Sequence, residues 1–300
     1  MKQLILEAAG PYSLKASIRF LEGFTPATYQ NEIADHLHLA FTVDDGEDIA
    51  GVCVRGQDQH ILVDLYGNAD PEAVRQQVTR ILSLDVDGRG WPLVGQRDPV
   101  MKNLQERFPG LRPVCFYSPY EAAAWALISH RIRIAQAAKI KAQMARDLGS
   151  SVDIHGHIEY AFPAPSRLLT LDRFPGLTER KIAYLQQLAR ATIEGKLNAH
   201  FLRSLPSEQA LEHLKQLPGI GDFSAQLVLL RGAGEPDFLP TNEPRLARAF
   251  ALAYGENAQA IEQVAEAWRP YRTWGTFLLR VFLEETTHEI AQGHEESHRK

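Results

Sequence analysis

Apolar and polar residues alternate along three short stretches, Leu37 to Val43, Ile49 to Arg55 and Ile61 to Tyr66, with Asp44-Asp45-Gly46 between the first two. A period of two broken by an Asp-Gly turn predicts an antiparallel meander. From Pro71 the spacing changes, and Val74, Val78, Ile81 and Leu82 fall on one face of a predicted helix running to Leu82. The stretch from Asp85 to Pro99 is rich in Gly, Pro and charge, which places a domain boundary at residue 98. Beyond it the periodicity is helical, almost without strands. It predicts helices over 100–108, 119–148, 165–171, 179–194, 207–216, 222–230, 245–254 and 257–285, the longer ones open to a break. The expected fold class is α+β: an amino-terminal antiparallel sheet domain with a helix (1–98), a mainly α-helical domain (99–292) and a polar, frayed tail (293–300).

With 300 residues, 45% of them hydrophobic, the chain has enough apolar material for two domains with real cores. No stretch resembles a secretion signal and no apolar run approaches the roughly 20 residues of a membrane span, so a cytosolic protein is expected. Cys53 and Cys115 stand far apart, which leaves no disulfide framework, cysteine-rich zinc site or iron-sulfur cluster, and both are expected to be buried thiols. The pairs His155 with His157 and His294 with His298 lack a Cys or acidic third ligand nearby in sequence, so zinc is not expected. A net charge of -5 gives no argument for nucleic acid from bulk charge, and any such case has to be local.

Leu217-Pro218-Gly219-Ile220-Gly221 separates two amphipathic segments, one with Leu211 and Leu214, the other with Phe223, Leu227 and Leu230. The glycines permit positive φ and close approach of another backbone, while the second helix starts at once and aims unpaired amides outward, where a phosphate could sit. A turn that binds nothing is equally compatible with these five residues. The apolar-Pro-Gly-apolar pattern also occurs at Phe108 to Leu111 and at Phe174 to Leu177.

The text LPGIGDFSAQLVLLRGAGEPDFLPTNEPRLARAF resembles the helix-hairpin-helix DNA glycosylase superfamily, and within it bacterial 3-methyladenine DNA glycosylase II. Pro11-Tyr12, Phe20, the meander, the Ala-rich stretch 126–149 and Trp268 to Trp274 extend the likeness over nearly the whole chain. The resemblance implies an amino-terminal mixed domain packed on two helical lobes, with the active site between the lobes and the hairpin spanning 207–231. The implied function is a monofunctional DNA glycosylase, a hydrolase of base excision repair that flips an alkylated purine out of duplex DNA. The protein would then be a monomer associated with the nucleoid through DNA.

Breaking the bond between sugar and base builds positive charge on the sugar, which a fixed carboxylate can stabilise while orienting water. The family has an Asp three residues after a Pro, and counting from Pro240 reaches Glu243. Glu is longer by about one carbon-carbon bond, so three accounts stay open: a working carboxylate, a lost catalytic group in a protein that only binds damaged DNA, or a solvated cap before Pro244. Asp237 precedes the Pro and is not a candidate. The family's strand-cleaving branches carry a Schiff-base Lys where this chain has Phe223, which implies no strand cleavage. Phe223 would instead stack on a base, unless it is core.

By the same resemblance Leu217, Gly219, Ile220, Gly221 and Ser224 contact DNA phosphate, and His130 with Arg131 fill the gap left by the flipped base, unless these are merely a solvated helix face. Phe20, Trp125, Phe223, Trp274 and Arg280 are base-pocket candidates, with Tyr120 a further aromatic; Phe20, Trp125, Tyr120 and Trp274 are of types more often found in a core than in a pocket. No cofactor is required, although the resemblance implies a Na or K ion held by backbone carbonyls of Lys215, Leu217 and Ile220. Against the glycosylase stand a non-catalytic binder of damaged DNA and, from another class, a regulatory helical protein whose hairpin contacts protein.

Overall fold

The computed structural model describes residues 2–24, 35–44, 47–57, 60–240, 243–256 and 258–287. The Asp45-Gly46 turn, Thr241, Asn242 and the tail beyond 287 lie outside them. Strands β1 (Lys2–Glu7), β2 (His36–Thr42), β3 (Ile49–Gln57) and β4 (His60–Tyr66) form one antiparallel sheet in the order β1-β4-β3-β2. The meander therefore forms as expected, and β1 adds an edge strand that the sequence pattern did not signal. Helices α1 (Leu14–Gly23) and α2 (Pro71–Ile81) belong to the same unit, and each starts on a side-chain cap. Ser13 accepts from Ala16 N at 3.2 Å and Asp70 from Ala73 N at 2.9 Å. Leu37, Leu39, Phe41, Val52, Val54 and Val63 are fully buried beneath the sheet against Ile18, Leu21, Val74, Val78 and Ile81.

Short α3 (Trp91–Arg97) and α4 (Pro99–Arg107) follow, then α5 (Pro119–Ser129), α6 (Ile134–Leu148), a hairpin of β5 (Ser151–Ile154) and β6 (His157–Tyr160), and α7 (Pro165–Leu169). Next come α8 (Glu179–Ile193), α9 (Ala199–Ser204), α10 (Ser207–Lys215), α11 (Asp222–Leu227), α12 (Pro244–Tyr254), α13 (Ile261–Val264) and α14 (Arg272–Thr287). The helix expected over 119–148 breaks at His130 to Arg133, and the one expected over 257–285 breaks around a cis Arg269-Pro270 bond. The β5–β6 hairpin, α1, α3 and α9 were not read from the sequence; the strands, α3 and α9 are four to seven residues long, too short for periodicity to register.

Two further cores flank the sheet domain. One gathers α5, α6, α8 and the 207–233 segment around Trp125, Ile128, Met144, Leu185 and Leu229. The other joins α3 and α4 to α12 and α14 around Trp91, Met101, Leu246, Trp268, Trp274 and Leu279. Val86 and Trp91 pack in the third core, while Val114 packs with the sheet. Asp98 is a clamp inside that lobe. One oxygen caps α4, and the other accepts from Tyr254 Oη at 2.6 Å and Trp268 Nε1 at 2.7 Å. Among the described residues no helix is long and apolar enough to cross a membrane.

The three Pro-Gly echoes share one geometry. Gly110, Gly176 and Gly219 have φ of 69°, 83° and 86°. In each, the residue after Gly donates its N–H to the carbonyl three residues back, at 3.1, 3.1 and 3.0 Å. Pro followed by a positive-φ Gly is the chemistry of a type II turn.

Candidate active site

A cleft of about 660 Å³ opens where α1, the 217–231 segment and α14 converge. Phe20 and Phe24 enter from α1, Phe223, Leu227 and Arg231 from the hairpin side, and Glu243, Phe277 and Arg280 from the other lobe. Pro244 opens α12 and leaves Glu243 as the residue just before it, with extended backbone (φ -116°, ψ 106°) and a side chain that caps nothing. The solvated-cap account therefore fails. The Glu243 side chain is 14% exposed and forms an ion pair with Arg280 at the cleft wall.

Phe223 is 60% exposed at the cleft edge, so it is not core. Phe20 packs edge-on to Phe277 with centroids 4.9 Å apart. The other two base-pocket aromatics are corrections: Trp125 is buried in the α5–α8 core and Trp274 in the α12–α14 core, and neither reaches the cleft. An indole offers more area to bury than most side chains, which favours its use inside a core. Tyr120 is likewise buried, donating to the Pro163 carbonyl at 2.9 Å.

Arg231 escaped the sequence reading because it sits in an apolar run, LVLLRGAG. Its guanidinium lies 5.3, 4.9 and 5.2 Å from the ring centroids of Phe20, Phe24 and Phe277, and its Nε donates to the Val114 carbonyl at 3.1 Å. Burial, with repulsion from Arg280, lowers its pKa to about 10, so it stays cationic at neutral pH. The aromatic wall of the cleft thus already holds a cation of its own. Asp237, by contrast, accepts from Arg272 Nε at 2.9 Å and Arg269 Nη1 at 3.0 Å and does not line the cleft.

On the surface beside the cleft, α10 and α11 flank the hairpin turn. A Cβ on Gly219 would meet Tyr184 Cδ2 at 2.5 Å and Leu127 Cδ2 at 2.7 Å, so this glycine serves both a positive φ and close packing. Gly221 is exposed, with φ -99° and nothing within 4 Å of where a Cβ would stand. Leu217 and Ser224 are half-buried, and Ile220 is buried as the hairpin's anchor. Lys215 ties the two helices together through Glu212 at 2.6 Å and Asp222 at 3.0 Å. The backbone carbonyls of Lys215, Leu217 and Ile220 are an all-oxygen donor set, which suits Na⁺ or K⁺ rather than a transition metal.

His130 and Arg131 lie exposed in the α5–α6 loop, not on a helix face, and Arg131 has a φ of 56°. A non-glycine residue held there costs energy that the surroundings have to supply. Nearby, Lys181 Nζ donates to the Ile128 carbonyl near the end of α5 at 2.7 Å, and the buried Lys141 and Glu121 pair at 2.6 Å between α6 and α5.

No protein-family model matches the chain. It is 24% identical over 216 residues to DNA-3-methyladenine glycosylase of Bacillus subtilis (strain 168), a match covering 69% of this chain and 71% of that one. It is 30% identical over 184 residues to DNA-3-methyladenine glycosylase 2 of Escherichia coli (strain K12), covering 59% of this chain and 61% of that one, less than two thirds of the relative's length. Among solved structures, the 3-methyladenine DNA-glycosylase from Archaeoglobus fulgidus superposes with a TM-score of 0.75 at 23% identity, covering 96% of this chain and 99% of that one. The hairpin, the two lobes with a cleft between them, and these likenesses agree: the chain has the fold of the Archaeoglobus fulgidus glycosylase and is similar to DNA-3-methyladenine glycosylases, DNA-3-methyladenine glycosylase 2 among them.

Proposed function

We propose that the protein is a monofunctional DNA glycosylase that removes alkylated purines from duplex DNA, with Glu243 as its carboxylate. The observation that carries this reading is the placement of Glu243 on the cleft wall, facing the same space as the exposed ring of Phe223. A flipped purine would stack on Phe223, and Glu243 would stabilise the cationic sugar and orient the attacking water. Gly219, Gly221 and Ser224 would hold a phosphate, a Na⁺ or K⁺ ion on the carbonyls of Lys215, Leu217 and Ile220 would add positive charge beside it, and Arg131 would enter the gap in the duplex. With Phe223 in place of a lysine, position 223 offers no amine for a Schiff base, and the product on this reading is an abasic site on an intact strand.

One observation favours a second reading, a protein that binds damaged DNA without cutting the base free. The Glu243–Arg280 ion pair places a compensating positive charge beside the carboxylate and weakens its field on a cationic sugar. Release of methylated bases from alkylated duplex DNA separates the two. Release by the parent that vanishes in Glu243→Gln supports the glycosylase; no release by the parent, together with tight binding to an abasic-site duplex, supports the binder.

A further inference from the structure

The outer face of the amino-terminal sheet carries chemistry that the cleft does not use. On β2, β3 and β4 the residues Leu37, Leu39, Val52, Val54 and Val63 point into the core, so His36, His38, Cys53 and Asp64 share the opposite face. In the strand register His38 stands opposite Cys53, and Cys53 opposite Asp64. The β5–β6 hairpin lies directly on that face: a Cβ at Gly51 would meet Val152 Cγ1 at 2.5 Å, and Ile154 is fully buried. The tip of this hairpin lowers His155 and His157 onto the same spot, with their ring centroids 5.7 and 5.8 Å from that of His38.

The donor atoms of His36, His38 and Cys53 lie within 4.8 Å of one another, as do those of Cys53, Asp64 and His155. Cys53 Sγ is 3.7 Å from His36 Nδ1. A sulfur and a nitrogen on one tetrahedral zinc are about 3.6 Å apart, given bonds of about 2.3 and 2.0 Å. An independent observation points the same way: His38 is 9% exposed, and its Nε2 is buried with no hydrogen-bond partner. A buried polar nitrogen left unsatisfied costs about 1–3 kcal/mol, so its retention calls for a ligand. Asp64 is already engaged by Arg55 and Gln3, which leaves the imidazoles and the thiol as the donor set.

We propose that His36, His38, Cys53 and His155 bind one zinc-class divalent cation, which fastens the β5–β6 hairpin of the helical domain to the amino-terminal sheet. Three neutral imidazoles and one thiolate suit a borderline-soft d¹⁰ ion and not Mg²⁺ or Ca²⁺. The thiol proton leaves to solvent as the metal–sulfur bond forms, so a net charge of +1 remains beside the Asp64 carboxylate. The Tyr66 hydroxyl lies 2.9 Å from His155 Nε2 and 3.1 Å from its Nδ1, so it is the neighbour that a turn of this ring onto the metal would leave hydrogen-bonded through one nitrogen. The site stands on the far side of the sheet core from the cleft, and the proposal does not depend on the glycosylase reading.

The test uses the full chain, stripped with a chelator, with His294 and His298 replaced by Gln so that the tail supplies no ligand. Titration with Co²⁺ is expected to reach one equivalent with tetrahedral ligand-field bands and a thiolate-to-cobalt charge-transfer band, both displaced by Zn²⁺. Cys53→Ser should abolish the charge-transfer band. His155→Asn, an exposed change that leaves the sheet intact, should weaken Co²⁺ at least tenfold, and Zn²⁺ should raise the unfolding temperature of the parent but not of Cys53→Ser. Absence of stoichiometric binding by the folded parent, or binding untouched by His155→Asn, would overturn the proposal.

Discussion

Replacing each hairpin glycine separates folding from DNA contact, because the two glycines differ in what surrounds them. At Gly219 an added Cβ would sit 2.5 Å from Tyr184 and 2.7 Å from Leu127, on a backbone with φ of 86°. The left-handed conformation costs a non-glycine residue about 1–2 kcal/mol, and overpacking adds about 1–3 kcal/mol. Gly219→Ala should therefore lose about 2–5 kcal/mol of stability. At Gly221 the backbone is extended and the Cβ position is open, so Gly221→Val should cost no more than about 1 kcal/mol, the loss of a favoured residue at the start of α11. If a phosphate approaches that amide, the side chain displaces it. A hydrogen bond to a charged group is worth about 1.5–3 kcal/mol, which corresponds to roughly a ten- to hundredfold weaker Kd. Urea unfolding reads the first quantity, and fluorescence anisotropy on an abasic-site duplex, repeated across salt concentrations, reads the second. The loss should be alike for unrelated sequences, and the salt slope should stay unchanged, because a neutral amide releases no counterion. Parent-like binding by a folded Gly221→Val would refute the assignment of this hairpin as a phosphate anchor.

The buried Lys141–Glu121 pair should behave asymmetrically: Lys141→Met alone should cost about 3–5 kcal/mol, whereas the double change with Glu121→Leu should return close to the parent; a denaturation cycle checks this, and additive losses would contradict it. Arg131→Ala should weaken binding to an abasic-site duplex more than to an undamaged one, measured by competition, because only the former offers a gap to fill. The unaltered protein should leave abasic strands uncut on a denaturing gel until alkali is added; spontaneous cleavage would show that some amine other than one at position 223 forms the Schiff base. Phe223→Ala should lower kcat/KM for base release without shifting the unfolding midpoint, since the ring is exposed.

The meander and the hairpin flanks were legible because their apolar spacing is regular. The hairpin was legible down to single residues, since Pro-Gly and a following helix start dictate a turn whatever the context. What stayed hidden depended on distance along the chain. Arg231 reads as an interruption of an apolar helix until Phe20 and Phe24, some two hundred residues earlier, are seen against it. Trp125 and Trp274 look like pocket aromatics by type, yet only the fold shows that their faces point into cores. Zinc was set aside because His155 and His157 have no cysteine nearby in sequence; Cys53 lies about a hundred residues away, and sheet register brings it within reach.

The lobe that carries Glu243 and Arg280 is assembled from both ends of the chain, α3 and α4 packing on α12 and α14. The hairpin lobe draws mainly on a contiguous stretch and can condense while the remainder is still being made. On the glycosylase reading proposed above, a nascent chain halted after residue 235 would own the hairpin turn without Glu243 beside it. Competence to grasp DNA should precede competence to process it, and the emerging polypeptide would have no opportunity to attack bases before its last helix has docked.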